Sequence, residues 1–127
     1  MSKEVILSGH APAPIGPYSQ AIASGGMVFL SGQIPLDPAT GNMITGGVEA
    51  ETRQVMENLR QVLTAAGLDF SHVVKCSIFL RNMGDFPLVN QVYAGYFQTN
   101  PPARETVEVS RLPKDAQVEI SCIAIRG

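Results

Sequence analysis

Charge is scarce in this sequence. Asp, Glu, Lys and Arg make up 16% of its 127 residues, well under the quarter or so usual in soluble domains. So low a fraction suggests that part of the surface is covered by another copy of the chain. Lys and Arg form no run, and the formal net charge is −2 with a pI near 5.6. A nucleic-acid binder carries a basic patch or stripe, so neither RNA nor DNA is expected as a partner. Cysteine and histidine are rarer still, at two each. Cys76 and Cys122 sit far apart in apolar, strand-like runs, as reduced thiols buried as small hydrophobes would, which is consistent with the cytoplasmic compartment expected here. His10 and His72 stand at no metal-ligand spacing, so no metal site is expected. No apolar run approaches a membrane span. The opening MSKEVILSGH has neither the apolar length nor the cleavage site of a signal peptide. A Gly-rich phosphate loop, a G-x-S-x-G elbow and a Ser/His/Asp grouping are absent too.

What is present is a 45% apolar fraction, enough for one domain over residues 1–127 with a single core. "VILS" (5–8) reads as a short strand. "QAIASGGMVFLSGQIP" (20–35) reads as two strands joined at Gly25-Gly26, a pair that tolerates the positive φ of a tight hairpin. Val48, Thr52, Val55, Met56, Leu59, Val62 and Leu63 recur at three- and four-residue steps, which predicts a helix over about 47–66 ended by Gly67. Residues 72–81 form a buried-strand run. Asp85 is placed to cap a second helix, with Leu88, Val92, Tyr96 and Phe97 as its apolar face. Residues 105–112 alternate like a half-exposed strand, and 116–126 form the last and most apolar one. The fold class is therefore α+β, one sheet of about six strands with two helices on one face. The last strand is apolar on both sides, with Val118, Ile120, Cys122 and Ala124 opposite Ile123 and Ile125. Strands of that kind are buried on both faces. With no third helix to spare, a second subunit should cover the far face, so a homo-oligomer is expected.

Two charged residues fit chemistry. Glu119 shares its strand face with Ser121 and two isoleucines. A carboxylate there is either a solvated strand end or a desolvated group whose raised pKa suits proton transfer. Arg104 follows "PPA", so its approach is stiff; it is either a solvated loop residue or a fork for a carboxylate. "GPYSQA" (16–21) offers Tyr18 and Ser19, and "LSGQIP" (30–35) offers Ser31 beside Gly32. A glycine there either admits a ligand to the backbone or marks a bulge.

Taken together, "IGPYSQAI" (15–22), "FLSGQIPLDPATG" (29–41), "ETRQVMENLRQVLTAAGLDFSHVVK" (51–75), "DFPLVNQVYAGYF" (85–97), "PPAR" (101–104) and "VEVSRLPKDAQVEISCIAI" (107–125) resemble the RidA (YjgF) family of reactive intermediate/imine deaminases. The resemblance spans essentially the whole chain. It implies a chorismate-mutase-like fold and a homotrimer with sites in the clefts between subunits. It also implies hydrolysis of 2-imino acids, such as 2-iminobutanoate and 2-iminopropanoate, to 2-keto acids and ammonia, without a cofactor. By position, Arg104 matches the family's carboxylate-binding arginine and Glu119 the glutamate that places water and moves protons. Tyr18, Ser31 and Asn90 match pocket positions, with Gly32 beside the ligand. One motif departs: a "PARSCVEV"-like run in many deaminases is "PARETVEV" here. Thr106 keeps a backbone carbonyl at the cysteine's place but not the thiol, and alternation should point Glu105 away from it. Two other functions compete with hydrolysis. One is a trimer that binds a 2-keto acid without turnover; the other, reported for some relatives, is ribonuclease or translation inhibition.

Overall fold

The computed structural model describes residues 2–126. Six strands form one mixed sheet: β1 (Glu4–Ile6), β2 (Ala21–Ser24), β3 (Met27–Gln33), β4 (Val73–Leu80), β5 (Ala103–Glu108) and β6 (Val118–Ile125). Their spatial order is β1-β2-β3-β6-β4-β5. Only β4 and β5 run parallel, joined by a helical crossover; every other pair is antiparallel. The helices are α1 (Val48–Ala65) and α2 (Phe86–Ala94), and both lie on one face. The expected α+β architecture is therefore the one observed.

Local chemistry explains the joints. Gly25 and Gly26 take φ of 60° and 81° between β2 and β3, the two positive values that a tight hairpin turn requires. At the end of α1, Gly67 adopts φ of 78°. Its N–H donates to the Thr64 carbonyl while the Leu68 N–H reaches back to Leu63, a Schellman closure. All seven residues of the expected α1 stripe are buried. They cover Val28, Leu30, Cys76, Ile78, Val118, Ile120 and Ala124 from β3, β4 and β6. Asn58, also buried, donates from Nδ2 to the carbonyls of Ile34 and Leu36, and so ties the segment after β3 to α1.

Four details differ from the sequence expectation. The buried face of α2 is Val89 and Tyr93, with Phe86 half-buried beside them, whereas Leu88 is 41% exposed. Tyr96 and Phe97 lie beyond the helix, which ends at Ala94, and pack edge-on against Phe70 instead. Asp85 occupies the N-cap position without a side-chain hydrogen bond; Asn82 Oδ1 accepts from the Gly84 N–H in the turn just before. Finally, β5 covers 103–108 rather than 105–112, since it pairs with β4 and stops where β4 stops. Arg104 consequently lies inside the strand, opposite Cys76.

The far face of the sheet is open and carries an apolar patch beside its polar residues. Val5, Ile22, Phe29 and Ile123 form one cross-strand row, and Phe79 and Val107 pair beside them. Phe29 is 44% exposed and Val5 60%.

Candidate functional site

Alternation across the register divides the candidate residues into two groups. Arg104 aligns with Cys76 and Thr106 with Ile78, so both point to the helix side. There Arg104 Nη1 donates to Asn90 Oδ1 at 2.7 Å, and its Cζ lies 5.3 Å from the Phe86 ring centre and 5.1 Å from that of Tyr93. Phe86, Asn90 and Tyr93 are four and three residues apart, which puts them on one face of α2. Among the described residues no carboxylate forms an ion pair with Arg104. It borders a cleft of about 300 Å³ that Asn90, Tyr93, Phe97, Pro101 and Pro102 also line. Thr106 buries a hydroxyl oxygen that has no hydrogen-bond partner, while the buried Tyr93 hydroxyl lies beside the Cys76 thiol. Glu105, as alternation requires, turns to the other face and engages Ser77 and Lys75, the latter at 3.0 Å.

Glu119 belongs to the second group. It aligns with Phe79 on the far face and borders a separate cleft of about 500 Å³, with Ile15, Tyr18, Ser31, Gly32 and Ile34. Why the carboxylate fits against β3 is visible at Gly32. The β3–β6 register slips between Leu30 and Gln33, so Gly32 sits in an irregularity. A Cβ built there would stand 2.9 Å from Glu119 Cδ, and closer still to one carboxylate oxygen. The glycine is thus a bulge and a close approach at once. Ser31 Oγ donates to the Ser19 carbonyl at 2.6 Å and so holds the Tyr18 segment against β3. Gln20, fully buried, fastens the same segment to Ser8 and Pro12. Tyr18 itself is 50% exposed.

The structure therefore brings Arg104, Asn90 and Thr106 together, and separately Glu119, Gly32, Ser31 and Tyr18. Within one chain it does not bring the two groups together. Sequence reasoning missed Phe86 and Tyr93, although their spacing with Asn90 was the available signal. Among the described residues, no three His, Cys, Asp or Glu side chains are placed to hold a metal ion.

Burial is what acts on Glu119. Its carboxyl is pushed above its ordinary pKa by desolvation, and no neighbouring cation offsets the shift. This has a consequence for stability. A carboxyl with a raised folded-state pKa favours folding while it is protonated. That contribution is complete below the unfolded value and is lost as pH rises through the folded one. Glu119→Gln cannot ionise and escapes the loss. The variant is therefore expected to melt higher than wild type at neutral pH, with the gap closing as pH falls through the carboxylate range. Melting curves from acid to neutral pH check this; a variant that melts lower than wild type at neutral pH would contradict it.

The chain is similar to known proteins along nearly its whole length. The family described as endoribonuclease L-PSP matches residues 8–126. Protein DfrA of Myxococcus xanthus is 58% identical over 127 residues, covering 98% of this chain and 97% of its own. A 2-iminobutanoate/2-iminopropanoate deaminase of Mus musculus is 46% identical over 125 residues, covering 98% and 93%. Among solved structures, the YjgF gene product of E. coli superposes with a TM-score of 0.93 at 42% identity, covering 98% of this chain and 99% of that one. TdcF of E. coli, solved with bound serine, gives 0.93 at 40% identity with the same coverage.

Proposed function

This chain belongs to the YjgF/RutC/RidA family, and we propose that it is a cofactor-free imine deaminase working as a homotrimer. Its substrates are reactive 2-imino acids such as 2-iminobutanoate and 2-iminopropanoate, and its products are 2-keto acids and ammonia. The observation that carries the reading is the division of the site. An anion fork and a desolvated carboxyl lie on opposite faces of one sheet, each bordering its own cleft. Neither half performs the reaction alone. A neighbouring copy that covers the open face would bring its own Arg104 group to this chain's Glu119.

Each residue then has a task. Arg104 holds the substrate carboxylate with the N–H groups that Asn90 leaves free. Glu119, ionised, removes a proton from water as the oxygen adds to C2, and the C=N bond becomes C–N. The protonated carboxyl next passes that proton to the nitrogen. Glu119, ionised again, then carries the proton of the C2 hydroxyl to that nitrogen; the C–N bond breaks, ammonia leaves and the oxygen closes to C=O. An imine is already electrophilic, so placing the water and moving a proton are sufficient. A carboxyl whose pKa burial has raised is suited to both directions of that transfer. Tyr18 and Ile15 wall the cleft, while Ser31 and Gly32 let the ligand approach β3. The serine-bound relative supports a small amino-acid-like ligand. An endoribonuclease, the activity in the family's description, is set aside because a net charge of −2 offers no basic track for a phosphate backbone.

A coupled assay tests the proposal. Threonine dehydratase generates 2-iminobutanoate in situ, semicarbazide traps what remains, and this protein is added as wild type or Arg104→Ala. Wild type should lower the trapped imine and the variant should not. If wild type matches buffer, the enzyme reading fails, and a trimer that binds 2-keto acids without turnover takes its place.

A further inference from the structure

Arg104 is held by more than its hydrogen bond. Its guanidinium carbon lies 5.3 Å from the Phe86 ring centre and 5.1 Å from that of Tyr93, while Asn90 takes Nη1 at 2.7 Å. All three contacts come from one face of α2, and the arginine itself comes from β5. Phe97 leans on Tyr93 with ring centres 4.8 Å apart, and Tyr93 is almost fully buried, so the ring beneath the arginine is fixed. A guanidinium over aromatic faces keeps its charge and its edge N–H groups, yet surrenders water on the stacked sides. We infer that Phe86 and Tyr93 are positioning residues, an aromatic seat that presets the Arg104 fork for a carboxylate. The inference rests on the proposed role of Arg104 as the substrate's carboxylate anchor. It also explains why the buried stripe of α2 is the one through Val89 and Tyr93 rather than the equally apolar stripe through Leu88 and Val92. On the first stripe Tyr93, together with Phe86, seats the arginine; on the second Leu88 is exposed and Val92 only half-buried.

The seat predicts a particular kind of damage. Phe86→Leu and Tyr93→Leu keep apolar bulk but remove the π face, and Phe86, only half-buried, is the variant less exposed to loss of fold. Affinity for 2-oxobutanoate, the keto-acid product, is measured beside that for the neutral 2-oxobutanamide. Each leucine variant should bind the carboxylate about two- to fivefold less tightly, the scale of a cation–π contact at an exposed guanidinium. Affinity for the amide should hold, and KM for the imine should rise with kcat unchanged. Tyr93→Phe, which retains the ring, should restore carboxylate affinity. Equal losses for carboxylate and amide would mark a collapsed cleft and overturn the inference. Wild-type affinity in both leucine variants would overturn it too, while weak binding by Arg104→Ala in the same series would leave the proposed function standing. If Arg104→Ala itself bound 2-oxobutanoate like wild type, the anchor would be lost and both proposals with it.

Discussion

Glu119→Gln is expected to lower kcat for 2-iminobutanoate hydrolysis by about 10²- to 10⁴-fold, the range set by removal of a positioned general acid–base. The amide keeps the size of the side chain and its place beside Gly32, so KM should change little. Glutamine can hold a water but cannot take its proton, and that proton must reach the nitrogen before ammonia can leave. The same substitution should stabilise the protein at neutral pH, because it removes a carboxyl whose ionised form burial disfavours. A gain in melting temperature together with a loss of turnover separates a functional carboxylate from a structural one. Steady-state kinetics on purified protein checks the first half. A variant within a fewfold of wild type would assign the proton transfer elsewhere.

Gly32→Ala should be nearly as damaging by another route. The added methyl would overlap the Glu119 carboxylate, 2.9 Å from Cδ and nearer still to one oxygen. The obstacle is the end of a flexible side chain rather than backbone, so Glu119 swings aside and the fold survives. Gly32 is not among the residues of positive φ, so alanine is not strained there. A displacement of this size at a proton-transferring group costs about a hundredfold in rate. Since the effect passes through Glu119, Gly32→Ala combined with Glu119→Gln should be no slower than Glu119→Gln alone. Losses that multiply in the double variant would give Gly32 an independent role.

Much of this was legible in the sequence, and what was not has physical reasons. The α1 stripe has one apolar face and a glycine at its end, and both were read from spacing alone. In α2 two apolar stripes compete, one through Val89 and Tyr93 and one through Leu88, Val92 and Tyr96. Periodicity cannot rank them; the contacts of Tyr93 with Arg104 and Phe97 do, and the one with Arg104 is tertiary. Strand β5 was displaced because its limits follow its neighbour β4 rather than its own alternation. Glu119 and Arg104 could each be singled out by charge in an apolar or stiff setting. That they face opposite sides of the sheet became visible only with the register, which links Arg104 to Cys76 and Glu119 to Phe79. Gly32 was open to two readings, bulge or close approach, and it is both.

The central claim is that one active site is built from two copies, and subunit mixing tests it directly. Arg104→Ala and Glu119→Gln, each inactive alone, would be unfolded together, refolded at equal concentration and assayed for 2-iminobutanoate hydrolysis. In a shared-site trimer, random assembly joins an intact Arg104 to an intact neighbouring Glu119 at about one interface in four. The account predicts recovery of about a quarter of wild-type activity in the mixture. No recovery from mixed trimers, verified by mass to contain both variants, would place Arg104 and Glu119 in separate functions and contradict it.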